Sequence, residues 1–263
     1  MTLAFAATLI GLGLGGAFVS GLLGVGGAIV MIPLLLYVPP LLDVGKLSMK
    51  AVAGVTMVQV LVAATSGMIA HRRHQAVNAE LAWVGGVAMA SGSLLGALGS
   101  YYFYDRWLLL VFALMVTAAG LLMLVPVDLL ALPPRVGDPQ RFSRPRTATV
   151  CAGVGLGAGL VGAGGAFLLV PLLLVVVGVP IRLTIGSSLA ITAVSGLTGV
   201  AGKLATGQIP YETALIVALG AAPGAQLGAA VSRRLSSGQL KLALGLIIVI
   251  IGIRVWWDVL TYH

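Results

Sequence analysis

Charge is what this 263-residue chain has least of: Asp, Glu, Lys and Arg together make up 8%, against 59% hydrophobic residues and a mean hydropathy of +1.11. A water-soluble domain carries about 25% charged residues, so a solvent-facing surface cannot be assembled from this composition. The single cysteine, Cys151, excludes an intramolecular disulfide and reads as a small core residue. The three histidines, His71, His74 and His263, fall in loops or at the chain end. An intramembrane serine hydrolase would therefore have no base for its nucleophile, and the chain reads as no enzyme. His71 and His74 in "HRRH" have zinc-like spacing but no thiolate or carboxylate companions, so no metal site is expected. The phosphate-cradling GxxxxGK pattern is missing, which argues against an ATP-driven pump and against any nucleotide cofactor; no cofactor is expected. Short alternating strands, the signature of an outer-membrane barrel, are missing too. The opening "MTLAFAATLIGLG" lacks the basic start of a signal peptide and reads as mature structure.

What the chain does have is a succession of apolar runs of roughly 18 or more residues, the mark of membrane-spanning helices. The fold class is an all-α polytopic membrane protein with the lipid bilayer as its solvent. The net charge of +8 sits in short clusters between the runs: "HRRH" at 71–74, "RFSRPR" at 141–146 and "SRR" at 232–234. That is the Lys/Arg bias of cytoplasmic loops, not a nucleic-acid surface, and no nucleic-acid partner is expected.

The chain also repeats itself. "GLLGVGGAIVMIPLLL" at 21–36 returns as "GLVGAGGAFLLVPLLL" at 159–174, with ten of sixteen positions identical and every difference apolar for apolar. Beyond this motif the halves stay in register at a spacing of 132, pairing Thr56 with Ser188, Glu80 with Glu212, Gly96 with Gly228 and Gly120 with Gly252. The expected first repeat is 1–124, with a hairpin at about 3–38 and spans at about 51–70, 80–100 and 107–124. A proline- and arginine-rich cytoplasmic linker follows at 125–148. The second repeat is 149–263, with a hairpin at about 149–178 and spans at about 184–203, 212–231 and 239–257.

Length decides the hairpins. Residues 3–38 as one helix would run roughly 54 Å, too long for a hydrocarbon core of about 30 Å even when tilted. The segment must turn back at its glycines, as a re-entrant loop or as two short spans. A hairpin plus three spans reverses the chain's side once per half, so the halves are expected as an inverted-topology repeat. Inversion places ten of the fifteen Lys and Arg inside, parallel halves only eight. Both termini are then non-cytoplasmic.

In an inverted repeat one hairpin enters from each side, and the tips meet near the midplane. Gly24, Gly26 and Gly27, with Gly162, Gly164 and Gly165, supply the positive φ angles of such tips. The helices that follow then point their amide ends, each with about half a positive charge, at the centre, which makes an anion site without a buried cation. Pro33 and Pro171 read as distortions of those helices. The glycines of "GLGLGG" at 11–16 and "GVGLGAG" at 153–159 read as helix packing.

Polar residues inside the spans extend the candidate site. Ser187, Ser188, Thr192 and Ser195 lie on one helix, and Thr56 with Gln59 is the first-half counterpart; hydroxyls and an amide can donate to anion oxygens, or bond their own helices. Glu80 and Glu212 sit in first helical turns, where a carboxylate suits the dipole, with proton coupling as the alternative. Lys203, near the end of its span, either snorkels or draws anions at a cavity mouth. Gln226 reads as a buried amide.

The doubled glycine–proline motif, the "IGSSLA" after its second copy and the two four-segment halves resemble the sulfite exporter TauE/SafE family over nearly the whole chain. The resemblance implies a bacterial inner-membrane permease for sulfite, sulfoacetate and related organosulfonates. An anion channel, a carrier of another small carboxylate and a non-transporting scaffold stand as alternatives. The sequence leaves the oligomeric state open.

Overall fold

The computed structural model describes residues 3–72, 77–124 and 142–261. Among the described residues ten helices follow in order: α1 Leu3–Leu23, α2 Ala28–Leu41, α3 Met49–Arg72, α4 Ala79–Gly99 and α5 Asp105–Leu124, then α6 Arg144–Val161, α7 Ala166–Val177, α8 Ile181–Ala205, α9 Tyr211–Ser232 and α10 Ser237–Thr261. A single 3₁₀ turn, Ser100–Tyr102, closes α4. No strand occurs among the described residues. Seven of the helices (α1, α3, α4, α5, α8, α9 and α10) are long and apolar enough to cross a membrane, and α2 and α7 are shorter apolar helices. The chain is a multi-pass membrane protein.

Most of the stretch read as a linker, 125–141, lies outside the described residues, as does 73–76, which takes in the last two residues of the "HRRH" cluster. The first helix after it begins at Arg144, inside that stretch. Pro145 explains the early start: in the first turn its missing N–H costs nothing and its fixed φ suits a helix. Pro171 lies within α7, where the helix widens into a π turn over Leu173–Val177. Such widening restores backbone bonds that a proline removes.

The outer surface is apolar. Trp83, Leu95, Leu121, Leu219, Ile250 and Trp257 stand exposed, the inverse of a soluble protein and the match of a lipid solvent. Lipid tails do not drive apolar faces together, so close packing of small residues must hold the helices. Two pairs do this most tightly, and each joins one half to the other. α1 runs alongside α9, with Gly13 and Gly21 against the backbone of Val217 and Ala225, and Gly220, Gly224 and Gly228 against that of Ile10, Leu14 and Phe18. α6 repeats the arrangement along α4: Gly155 and Gly159 meet Met89 and Ser93, while Gly92 and Gly96 meet Ala152 and Leu156.

The centre belongs to α3 and α8. Their contacts run in opposite senses, Met57 to Gly199, Leu61 to Gly196 and Gly67 to Leu189, so the two cross antiparallel. α5 and α10 also run antiparallel, with Gly120 near Ile248 and Val116 near Gly252. Cys151 is fully buried and free, a core residue as its setting suggested. Gln226 is exposed, against expectation, because α9 turns its glycine face, not Gln226, toward α1.

Candidate functional site

Each glycine cluster makes a sharp reversal of the same shape. α1 ends at Leu23, the Gly24 amide donates to the Ser20 carbonyl at 2.8 Å, and Gly24, Gly26 and Gly27 hold φ of 71°, 73° and 74°. α6 ends at Val161, and Gly162, Gly164 and Gly165 hold φ of 74°, 60° and 68°. A side chain in that left-handed region is strained by roughly 1–2 kcal/mol, so three glycines per tip are what the turn requires. Gly27 and Gly165 then precede the first turns of α2 and α7, whose leading amides have no helical partner.

The two tips meet. A methyl group placed on Gly26 would come 3.3 Å from the Ala166 Cβ, 3.5 Å from Thr192 Cγ2 and 3.5 Å from Val60 Cγ1. One placed on Gly164 would touch the same Val60 and Thr192 methyls. Val60 is the twelfth of 24 residues in α3 and Thr192 the twelfth of 25 in α8, so the tips converge at the middle of the two central helices. Their flanks match as well. Gly24 abuts the Ile185 backbone on α8 and Gly162 the Ala53 backbone on α3, and Ala53 and Ile185 are equivalent at the spacing of 132.

Around this junction lie polar atoms with nothing to bond. Thr56 Oγ1, Thr192 Oγ1 and both Gln59 amide atoms are fully buried and lack any partner. The Gln59 Nε2 would lie 3.0 Å from a Cβ on Gly27. Thr56 sits between Ala53 and Val60 on the helical face that meets the second tip. A buried polar group without a partner costs about 1–3 kcal/mol, and three side chains at one spot is a costly concentration. Three further buried hydroxyls, on Ser20, Ser93 and Thr147, also lack partners, and residue spacing gave no sign of them.

The remaining candidates are engaged elsewhere. Ser188 Oγ donates to the Gly24 carbonyl at 2.8 Å and lies 2.9 Å from that of Ile185, clamping the first tip to α8. Ser187 Oγ accepts from the Asn78 amide at 3.0 Å, holding the turn before α4. Ser195 Oγ leans on its own helix at the Thr192 carbonyl, 3.4 Å away. Glu80 is half exposed and paired with Arg144 at 2.6 Å, at the outer end of α4, and Glu212 is exposed at the start of α9. Neither reaches the tips.

Lys203 neither snorkels nor stands at an open mouth. It is fully buried, and its Nζ donates to Ser100 Oγ at 2.7 Å, Gln208 Oε1 at 3.0 Å and the Leu160 carbonyl at 3.2 Å. The turn after α8 carries Gln208 back beneath it, where Gln208 Nε2 donates to Thr206 Oγ1 at 2.7 Å. Every ammonium proton is thus occupied by a neutral acceptor, which is why the side chain stays inside.

Comparison with known proteins finds a family match. The family model described as "Sulfite exporter TauE/SafE" matches residues 9–255. A protein of Xylella fastidiosa (strain Temecula1 / ATCC 700964) named "Probable membrane transporter protein" is 34% identical over 95% of each chain. "Probable membrane transporter protein YunE" of Bacillus subtilis (strain 168) is 22% identical over 95% of this chain and 97% of its own. No solved structure matches this chain.

Proposed function

Because the chain belongs to the sulfite exporter TauE/SafE family and is a membrane transporter, we propose that it is a secondary carrier exporting small sulfur-containing oxyanions, sulfite or organosulfonates such as sulfoacetate, across the bacterial inner membrane. The observation that carries this reading is the junction of the two glycine tips, closed over the unpartnered Thr56, Gln59 and Thr192. Those side chains offer two hydroxyls and an amide N–H, and the leading amides of α2 and α7 add donors without side-chain charge. An oxyanion presents several acceptors at once and satisfies donors converging from different sides. In this reading Gly24, Gly26, Gly27, Gly162, Gly164 and Gly165 form the walls, and Ser187 and Ser188 hold the walls in place.

The observed conformation is closed, since the tip residues and the unpartnered atoms are all buried. Access on either side requires the tips to part, and the reading assigns that motion to one half rocking against the other as an inverted repeat. No step is enzymatic. Glu80 and Glu212, at the helix ends, serve the helix dipoles in this reading.

Purified protein screened by thermal shift against sulfite, thiosulfate, sulfoacetate, taurine and lactate tests the substrate class. Binding to the folded state raises apparent stability by mass action, about 2.7 kcal/mol at a hundredfold excess over Kd. The expected result is a shift with sulfite or sulfoacetate, and saturable, trans-stimulated exchange of the same anion in proteoliposomes. A shift confined to lactate moves the substrate class to carboxylates. Linear, voltage-driven current replaces the carrier by a channel.

A further inference from the structure

A hairpin tip has an electrostatic weakness as an anion site. It brings the amide end of one helix, with about half a positive charge, beside the carbonyl end of the helix before it, with about half a negative one. The two largely cancel, and an anion at such a tip sees little net field. Whether a tip attracts an anion depends on what neutralises the carbonyl end.

At the first tip, the Gly24 carbonyl, just past the end of α1, receives the neutral Ser188 hydroxyl. At the second, the Leu160 carbonyl, in the last turn of α6 and two residues before Gly162, receives the Lys203 ammonium at 3.2 Å. Lys203 is fully buried, and among the described residues no carboxylate lies within ion-pair distance of it. Its other acceptors, Ser100 Oγ and Gln208 Oε1, carry no charge. The repeat supplies no matching lysine: the position equivalent to Lys203 is His71. An ionisable residue at membrane depth is costly and marks a functional path. A field in a medium of low dielectric also reaches further than it would in water.

We infer that Lys203 sets the anion preference of the central site: it neutralises the carbonyl end of α6, so the amide end of α7 and the ammonium together leave the second tip net positive. The inference rests on the oxyanion-carrier reading above. Bound oxyanion lies against the second tip, where the α3 face that meets it through Ala53 and Val60 also carries the unpartnered Thr56, while the first tip, clamped by Ser188, forms the opposing wall. Lys203 acts at a distance and is a positioning residue for the anion, not a ligand.

The decisive variant is Gln208→Glu. It keeps the shape and the Lys203 contact, exchanges the Nε2 donor that Thr206 and Ser100 now accept for an oxygen to which those hydroxyls can donate instead, and places a carboxylate where Gln208 Oε1 now accepts, pairing the ammonium internally and cancelling its field. A purely structural Lys203 would be held at least as well by that ion pair. Affinity for sulfite and sulfoacetate is measured by thermal shift and equilibrium binding on the full chain in detergent. Gln208→Glu is expected to weaken sulfoacetate binding about tenfold without lowering Tm in its absence, Lys203→Met to weaken it at least as much, and Lys203→Arg to hold it within about threefold. Wild-type affinity in Gln208→Glu overturns the inference while leaving the carrier reading intact. Absence of sulfite and sulfoacetate binding in the unaltered protein overturns both. If Lys203→Met does not fold, Gln208→Glu alone decides.

Discussion

Thr56 and Ser188 occupy the same place in the two repeats, yet only one hydroxyl is used. Ser188 spends its proton on the Gly24 carbonyl, whereas Thr56 Oγ1 has no partner on the facing tip. On the function proposed above, these opposite hydrogen-bonding states at equivalent positions make Ser188 a structural residue and Thr56 a ligand held ready. Thr56→Val removes an unsatisfied buried group at nearly constant volume, so it is expected to leave Tm unchanged or raise it by a few degrees while lowering flux at least tenfold. Ser188→Ala removes a made bond and leaves the Gly24 carbonyl bare, which costs about 1 kcal/mol and lowers Tm. Thermal unfolding and proteoliposome flux on the same preparations separate the two; a fall in Tm for Thr56→Val would show a structural hydroxyl. The polar residues of α3 and α8 were legible in the sequence because a Thr, a Gln and Ser–Thr pairs stand out in apolar helices. Their individual states were not legible, since the partners that occupy Ser187 and Ser188 lie 109 and 164 residues away. Lys203 was misread for the same reason. Hydropathy marks only its nearness to a helix end, while Ser100 and Leu160, which keep it inside, come from other parts of the chain.

At the scale of elements, glycine does two jobs that composition alone does not separate. In the tips it provides left-handed backbone; along α1, α4, α6 and α9 it removes side chains so that backbones touch. Within "GLGLGG" the distinction falls residue by residue. A Cβ on Gly13 would overlap the Val217 carbonyl, and one on Gly16 would press Met31 Sδ at 3.0 Å, whereas Gly11 and Gly15 have nothing within 4 Å. Gly15→Ala is therefore expected to be neutral or to stabilise by up to about 1 kcal/mol through helix propensity. Gly13→Ala forces α1 from α9 and is expected to destabilise by about 1–3 kcal/mol. Differential scanning of the two variants in detergent checks this, and equal Tm values would refute the packing assignment. Helix positions were readable from hydropathy runs and the tips from the length of 3–38. Which glycines pack was not, because that depends on the azimuth of a partner helix from the other half.

At the scale of the whole molecule, the antiparallel crossings of α3 with α8 and of α5 with α10 set repeat-equivalent helices against each other, which supports halves of opposite orientation. The parallel runs of α1 with α9 and of α6 with α4 fit the same scheme, since each entering hairpin arm then lies along a span of the other half that travels in its own direction. Followed through the bundle, the chain leaves its N-terminal end, the turn before α3, the turn after α4 and its C-terminal end on one face. The turns before α4, α8 and α10 lie on the other. Arginine clusters favour the second face as cytoplasmic, and the Tyr101, Tyr102, Tyr104 and Trp107 group, exposed beside the 3₁₀ turn, suits the opposite interface. Cysteine accessibility tests the orientation directly, because the native Cys151 is buried and can be left in place. Lys46→Cys, before α3, is expected to react with a membrane-impermeant maleimide on intact cells whose outer membrane has been opened. Gly238→Cys, at the start of α10, is expected to react only after the inner membrane is permeabilised. Both positions are exposed, so equal reactivity from outside cannot be blamed on burial. It would place both turns on one face, and a carrier that rocks between inverted halves could not be built on that topology.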